Sequence, residues 1–206
     1  MFTNNWFNDT AKNQWEIIIS NAKPKKILEI GSYEGASTCY LIQKLAQENS
    51  VEIHCIDAWN NEMGDETDYK LYGPNIDMSA VESRFKQNTK LATERASKKV
   101  DLFIHKGFSD DQLIKLLSNG KKNYFDFIYI DGSHLGPDVL CDAVLSFRLL
   151  KINGVMAFDD YLWPSAIKSL TRIPKLAIDS FVNLYSEKLS IYNAPLYQIY
   201  IQKISD

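Results

Sequence analysis

Five times along this 206-residue chain a short apolar run stops on glycine or a carboxylate and gives way to a segment with helical spacing. The runs are KKILEIG (Lys25–Gly31), VEIHCIDAW (Val51–Trp59), VDLFIHKG (Val100–Gly107), FDFIYIDGSH (Phe125–His134) and VMAFDDY (Val155–Tyr161). Runs this short and this apolar suit strands buried on both faces, and strand–helix alternation implies an α/β fold with a parallel sheet. The intervening helices are marked by Thr38, Leu41, Ile42 and Leu45 within 36–47, and by Met78, Val81 and Phe85. Ser109 and Gln112 read as an S-x-x-Q capping box ahead of Leu113 and Leu116. Pro137 is placed to open a helix carrying Val139, Ala143, Phe147 and Leu150, with Asn153-Gly154 as its stop.

The tail breaks the alternation. A helix opens near Pro174, and KLSIY and LYQIYIQKI, joined by NAP, read as a closing antiparallel hairpin. Residues 1–24 read as an N-terminal helical segment, and 58–78, polar and acidic, as an insertion or loop. Neither repeat nor linker divides the chain, so 1–206 reads as one domain.

Bulk properties narrow the function. A net charge of −3 argues against a nucleic-acid binder, which carries a basic face. No apolar stretch approaches the ~18 residues that span a membrane. The three cysteines, Cys39, Cys55 and Cys141, form no close pair; they read as buried thiols in a reducing, cytoplasmic setting.

In an open parallel sheet, ligands bind beyond the carboxyl ends of the strands. Polar and glycine residues collect there after every strand: Glu29, Gly31, Ser32, Tyr33 and Gly35; Asp57, followed by Ala58 and Trp59; Gly107, Phe108, Ser109 and Asp110; Asp131 and His134; Asp159 and Asp160. Each has an ordinary structural reading: turn glycines, a helix cap, a solvated loop end, a loop histidine. Their common position is what points to a site. The spacing Gly31-x-x-x-Gly35, with Tyr33 between, departs from the G-x-G-x-x-G that a pyrophosphate requires, which speaks against a nicotinamide-dependent oxidoreductase. Glu29 can meet an amine-bearing ligand, and Asp57 can accept ribose hydroxyls. Together these describe S-adenosylmethionine.

In ILEIGSYEGAST, CIDAW, FDFIYIDGSH and FDDYLW the chain resembles the class I S-adenosylmethionine-dependent methyltransferases. The likeness is nearest to the small O-methyltransferases of methyltransferase family 24, and extends at motif level to catechol and macrocin-type O-methyltransferases. The resemblance implies a Rossmann-like seven-stranded sheet, mostly parallel with one reversed strand near the edge, and helices on both faces. It implies that Gly31, Tyr33 and Ser37 line the methionine side of the cofactor with Glu29 in support. Asp57 would take the ribose, and Gly107–Asp110 would border the adenine. It also implies a divalent metal, magnesium by its oxygen ligands, held by Asp131, Asp159 and Asp160. The acceptor would be a small hydroxylated molecule or sugar. His134 stands where the catechol enzymes have lysine, and Asp160 where they have asparagine. An unperturbed imidazole titrates near ~6.5 and can accept a proton at cellular pH, so His134, or Asp131 with the metal, is the candidate base. A metal-independent methyltransferase and a non-catalytic cofactor-binding protein are the alternatives.

Overall fold

A computed structural model describes residues 1–60, 76–163 and 173–206. Much of the expected insertion at 58–78 and part of the segment after Tyr161 lie outside the described residues. The N-terminal segment forms two helices, α1 (Trp6–Thr10) and α2 (Lys12–Ala22). Next come β1 (Lys26–Ile30), α3 (Ala36–Leu45), β2 (Val51–Asp57), α4 (Met78–Glu94), β3 (Val100–Lys106), α5 (Ser109–Ser118) and β4 (Phe125–Ile130). The chain ends with α6 (Gly136–Leu149), β5 (Leu150–Phe158), α7 (Pro174–Leu184), β6 (Leu189–Ile191) and β7 (Ile199–Lys203).

The strands form one sheet in the order β3-β2-β1-β4-β5-β7-β6, parallel except for β7, which runs against both neighbours. This is the seven-stranded, mostly parallel sheet with a reversed strand near the edge. Strand order reverses between β1 and β4, so a crevice opens at their carboxyl ends.

Two apolar layers cover the sheet. Trp15, Ile18, Leu41, Ile42, Val81 and Phe85 from α2, α3 and α4 pack on Ile27, Ile53, Phe127 and Tyr129. Leu113, Val139, Phe147, Ile178 and Phe181 from α5, α6 and α7 pack on Leu28, Ile30, Ile128, Met156 and Phe158. Burial from both sides is why the central strands are continuously apolar rather than alternating. β3 has one neighbour strand only, and there Phe103 and Ile104 are exposed. Among the described residues no helix is long and apolar enough to cross a membrane.

Three local expectations change. Asn153-Gly154 does not end α6; it lies within β5, with Asn153 at φ +66°. β5 begins at Leu150, which pairs with Phe125 before the register shifts to Phe127–Val155, so the pair signals a bulge in the strand. The capping box is not formed. Phe108 is the N-cap of α5, and Gln112 Nε2 instead donates to the Lys106 carbonyl at 3.2 Å. Of the three free cysteines, Cys39 and Cys55 are buried but Cys141 is exposed.

Lys203, at the end of β7, is 1% exposed. Its ammonium donates to Asn123 Oδ1 at 2.8 Å and to the carbonyls of Phe147 and Leu150 at 3.1 and 3.0 Å, and it pairs with Asp206 at 2.7 Å. One buried cation thus ties the last strand to the α6–β5 junction. Lys203→Met, which keeps the stem and removes the donors, should lower stability by about 2–3 kcal/mol in urea unfolding; an unchanged midpoint would show that the buried ammonium ties nothing.

Candidate active site

The site begins where β1 meets β4. Gly31 has φ +83°, and a Cβ there would lie 1.8 Å from the Asp131 carbonyl oxygen. The glycine is therefore required by the β4 backbone passing against it, before any ligand is considered. Gly35 (φ +81°) turns the loop into α3, where a Cβ would meet the Phe85 ring at 2.9 Å. Glu29 is buried behind this loop rather than presented to a ligand. Its carboxylate accepts from the hydroxyls of Ser32 (2.7 Å), Ser37 and Thr38. Burial pushes the Glu29 carboxyl up, and the three hydroxyls oppose it.

Asp57, at the end of β2, accepts from the backbone N–H of Ser32 (3.0 Å), Tyr33 (2.8 Å) and Trp59 (2.7 Å). Three of about four lone-pair sites are thus engaged in holding the glycine loop. Burial pushes Asp57 up to about 6, against the pull of those N–H groups. The Trp59 indole donates to the Tyr33 carbonyl at 2.9 Å, closing the same turn. Beyond β3, Gly107 (φ +140°) leads into Phe108, Ser109 and Asp110 at the start of α5.

Acidic groups gather past β4 and β5. The Tyr129 hydroxyl lies between Asp131 Oδ2 (3.0 Å) and Asp159 Oδ2. Asp160 is left-handed (φ +56°), and its N–H donates to Asp159 Oδ1 at 2.9 Å. His134 Nε2 is 2.9 Å from Asp160 Oδ2, and the His134 ring stacks on Trp163 with centroids 4.0 Å apart. Burial and the neighbouring carboxylates push Asp131 well above the usual range and Asp159 up to about 6. Burial and the same acids push Tyr197 up to about 12.

One cavity of about 830 Å³ joins these parts. It is lined by Gly31, Ser32, Tyr33 and Ser37; by Asp57, Ala58 and Trp59; by Gly107, Phe108, Ser109 and Asp110; and by Asp131, His134, Asp159 and Asp160. Of the residues anticipated from sequence, Glu29 and Gly35 shape the loop from behind. The structure adds Trp6, Glu34, Asp142 and Tyr197 to the lining. Two of them carried a sequence signal: Trp6, an aromatic as ready to pack as to meet a ligand, and Asp142, a carboxylate set among the apolar positions of α6. Donor atoms of Asp131, His134 and Asp160 all lie within 4.8 Å of one another, which fits a metal ion. Asp159 is directed to Tyr129 instead.

Residues 28–161 match the model of a methyltransferase-domain family, family 24, and the chain belongs to that family of class I S-adenosylmethionine-dependent methyltransferases. Solved structures share the fold at low identity. An O-methyltransferase, TomG, from Streptomyces achromogenes, involved in tomaymycin synthesis and solved with SAM, is 13% identical with a TM-score of 0.65, over 94% of this chain and 79% of its own. A putative O-methyltransferase from Klebsiella pneumoniae is 17% identical with a TM-score of 0.61, over 96% and 82%. An O-methyltransferase from Bacillus cereus, solved with SAH, is 18% identical with a TM-score of 0.58, over 92% and 79%. A search of curated proteins finds no match.

The raised pKa of Asp159 carries a stability consequence. Its neutral form is favoured in the fold, so its contribution is intact below the unfolded value of ~3.9 and lost as pH rises through about 6. With chelator present, Asp159→Asn should be more stable than the parent protein at pH 7.5, by on the order of 2–3 kcal/mol at most, and the gap should close by pH 4. A gap of constant size in thermal melts across that range would refute the account.

Proposed function

We propose that the protein transfers the methyl group of S-adenosylmethionine to a hydroxyl oxygen of a small, ring-bearing hydroxylated molecule or sugar. The observation that carries this reading is the continuity of one cavity, from the glycine loop and Asp57 to the Asp131–His134–Asp160 rim. A nucleoside-linked sulfonium and a hydroxylated acceptor can then share it. Trp6, Tyr33, Trp163 and Tyr197 supply flat walls for a ring.

In the transfer, the acceptor oxygen bonds to the methyl carbon while the carbon–sulfur bond breaks and its electron pair stays on sulfur, leaving a neutral thioether. The hydroxyl proton must leave to a base. The chain's task is alignment, with the oxygen held behind the carbon–sulfur bond by walls and rim. His134 is the base in this reading. Its Nε2 contact with Asp160 orients the ring and stabilises the imidazolium that forms.

In this reading Asp131 and Asp160 would hold a divalent cation, which would supply Lewis-acid stabilisation of the acceptor oxyanion. Magnesium suits the three-carboxylate set of Asp131, Asp159 and Asp160; an imidazole donor also admits manganese. A second reading, His134 as metal ligand, is favoured by its place in that donor group.

S-adenosylhomocysteine should bind in calorimetry and NADH should not. Asp57→Ala should weaken S-adenosylhomocysteine by about 1–3 kcal/mol, since both the ribose hydroxyls and the glycine-loop N–H groups lose their acceptor. Absence of any S-adenosylhomocysteine binding would end the cofactor assignment. Binding without turnover on a panel of hydroxylated acceptors, with magnesium or manganese supplied, would leave a non-catalytic binding protein.

His134→Ala separates the two histidine roles. If His134 is the base, kcat falls roughly 10²–10⁴-fold while cofactor and metal affinities stay near the parent values. A drop in metal affinity of comparable size, with turnover restored by excess metal, makes it a ligand. Near-normal kcat without added metal rules out both. Activity that survives exhaustive chelation would establish a metal-independent enzyme.

A further inference from the structure

The two edges of the sheet differ. β6, at one edge, is three residues long; β3, at the other, is seven, VDLFIHK, and pairs with β2 over its whole length without a bulge. Natural edge strands are shortened, bulged, interrupted by proline or guarded by lysine, because an open ladder accepts another strand. Of these devices β3 has only Lys106, at its last position. Phe103 and Ile104, at its centre, are 46% and 40% exposed. The bonds that frame the strand fix the direction of its backbone groups. The Lys99 carbonyl accepts from the Val51 N–H, and the Gly107 N–H donates to the Asp57 carbonyl, both at 3.0 Å. The N–H and C=O of one strand residue point the same way and alternate along the chain, so the odd-numbered residues from 99 to 107 turn theirs to β2. Those of Val100, Leu102, Ile104 and Lys106 turn outward, and among the described residues they meet only Gln112 Nε2, on the Lys106 carbonyl at 3.2 Å.

We infer that β3 pairs antiparallel with β3 of a second copy of this chain, about a two-fold axis through Phe103, so that two sheets become one. Parity and side chains select this register. Hydrogen-bonded partners across the axis must both be outward-turned residues. Centring on Phe103 meets that condition: Leu102 of each copy exchanges both bonds with Ile104 of the other, and Val100 lies opposite Lys106. Phe103 then meets Phe103, and Asp101 of each copy stands opposite His105 of the other, in the pairs whose side chains lie closest. These three side chains share one face of the strand, where Phe103 is stacked on His54 with centroids 4.6 Å apart. Asp101 keeps its Lys99 partner at 2.8 Å and Lys106 its Glu82 partner at 2.5 Å, so no charge enters the contact alone. The neighbouring registers of the same parity fit worse. Centring on Leu102 sets Asp101 on Phe103 and Lys99 on His105; centring on Ile104 sets Leu102 on Lys106 and Phe103 on His105. An isologous contact of this kind closes as a dimer and leaves no β3 edge open.

The test is sedimentation velocity of the full chain over a concentration series. Seven residues of edge cover less area than a standard interface, so the dimer should form with Kd on the order of 1–100 μM. Ile104→Pro removes an outward N–H and no bond to β2, so this variant should melt cooperatively and sediment as a monomer throughout the series. His105→Glu sets a carboxylate against Asp101 on both sides of the axis and should weaken the dimer by roughly tenfold or more. Asp101→Lys added to it should restore the parent affinity to within about threefold. Positions 101 and 105 of one copy are about 13 Å apart along the strand, so that rescue must pass between copies. If the proline variant lacks a cooperative melt, the charge pair decides alone. A parent protein that stays monomeric at concentrations well above this range, a dimer that survives in folded Ile104→Pro, or a double variant no tighter than His105→Glu overturns the inference.

Discussion

The approach of Gly31 to the Asp131 carbonyl is the contact on which the site depends. β1 and β4 are the two central strands, and the sheet reverses its order between them. Their ends must come together closely enough for the Asp131 N–H to reach the Ile30 carbonyl at 2.8 Å, yet their loops must part to leave a crevice. Only a residue without a side chain, in a left-handed conformation, satisfies both. From that crossing the glycine loop runs one way into α3 and the β4 rim runs the other into α6, and the cavity lies between.

The buried carboxylates of this crevice differ in how well they are satisfied, and the difference sorts their roles. Glu29 has three hydroxyl donors and stands behind the loop it holds. Asp57 has three backbone donors and spare capacity on the cavity side. Asp131 and Asp159 share the Tyr129 hydroxyl, with the Asp160 N–H on Asp159 besides, and burial raises both, helped by Asp159 and Asp160 at Asp131 and by Asp160 at Asp159. Asp142 has none. Satisfaction is highest in the two carboxylates that hold the glycine loop and lower in those beyond it.

The five parallel strands were legible because burial on both faces leaves a plain mark, an apolar run cut off by polar residues. The rim was legible for the same reason: carboxylates at strand ends interrupt a pattern. Partners across the sheet left no such mark. Nothing in IYIQK distinguishes Lys203 from a surface lysine, because its acceptors are the distant carbonyls of Phe147 and Leu150. Asn153-Gly154 reads identically in a turn and in a bulge, and only the pairing of Leu150 with Phe125 decides between them. Phe103 and Ile104 are as apolar as a core strand, but the order of strands puts β3 at the edge. The candidate metal donors follow the same logic. Three aspartates at strand ends are visible in sequence, but which of them the Tyr129 hydroxyl claims is set across the sheet. The pairing of β4 with β5 lays Tyr129 beside Ala157 and so brings its hydroxyl to Asp159.

The N-terminal segment joins this arrangement through Glu34. Its carboxylate is buried, yet it accepts from the Thr3 N–H and hydroxyl, both at 2.7 Å, and from Arg84 Nε at 2.5 Å. Burial alone would raise its pKa; the Thr3 bonds and the Arg84 charge hold it below the usual range, so it stays ionised in the fold. Glu34 sits in the glycine loop, Arg84 on α4 and Thr3 ahead of α1, so one carboxylate fastens three segments distant in sequence. Trp6, tilted against Tyr33 with ring centroids 5.2 Å apart, extends that fastening to the cavity wall. The glycine loop and the N-terminal residues that line the cavity are therefore one packed unit. Phe2, Asn4, Trp6, Phe7 and Thr10 line the cavity, so the first ten residues belong to it, although in sequence only Trp6 hints at a ligand contact and packing explains that tryptophan equally well.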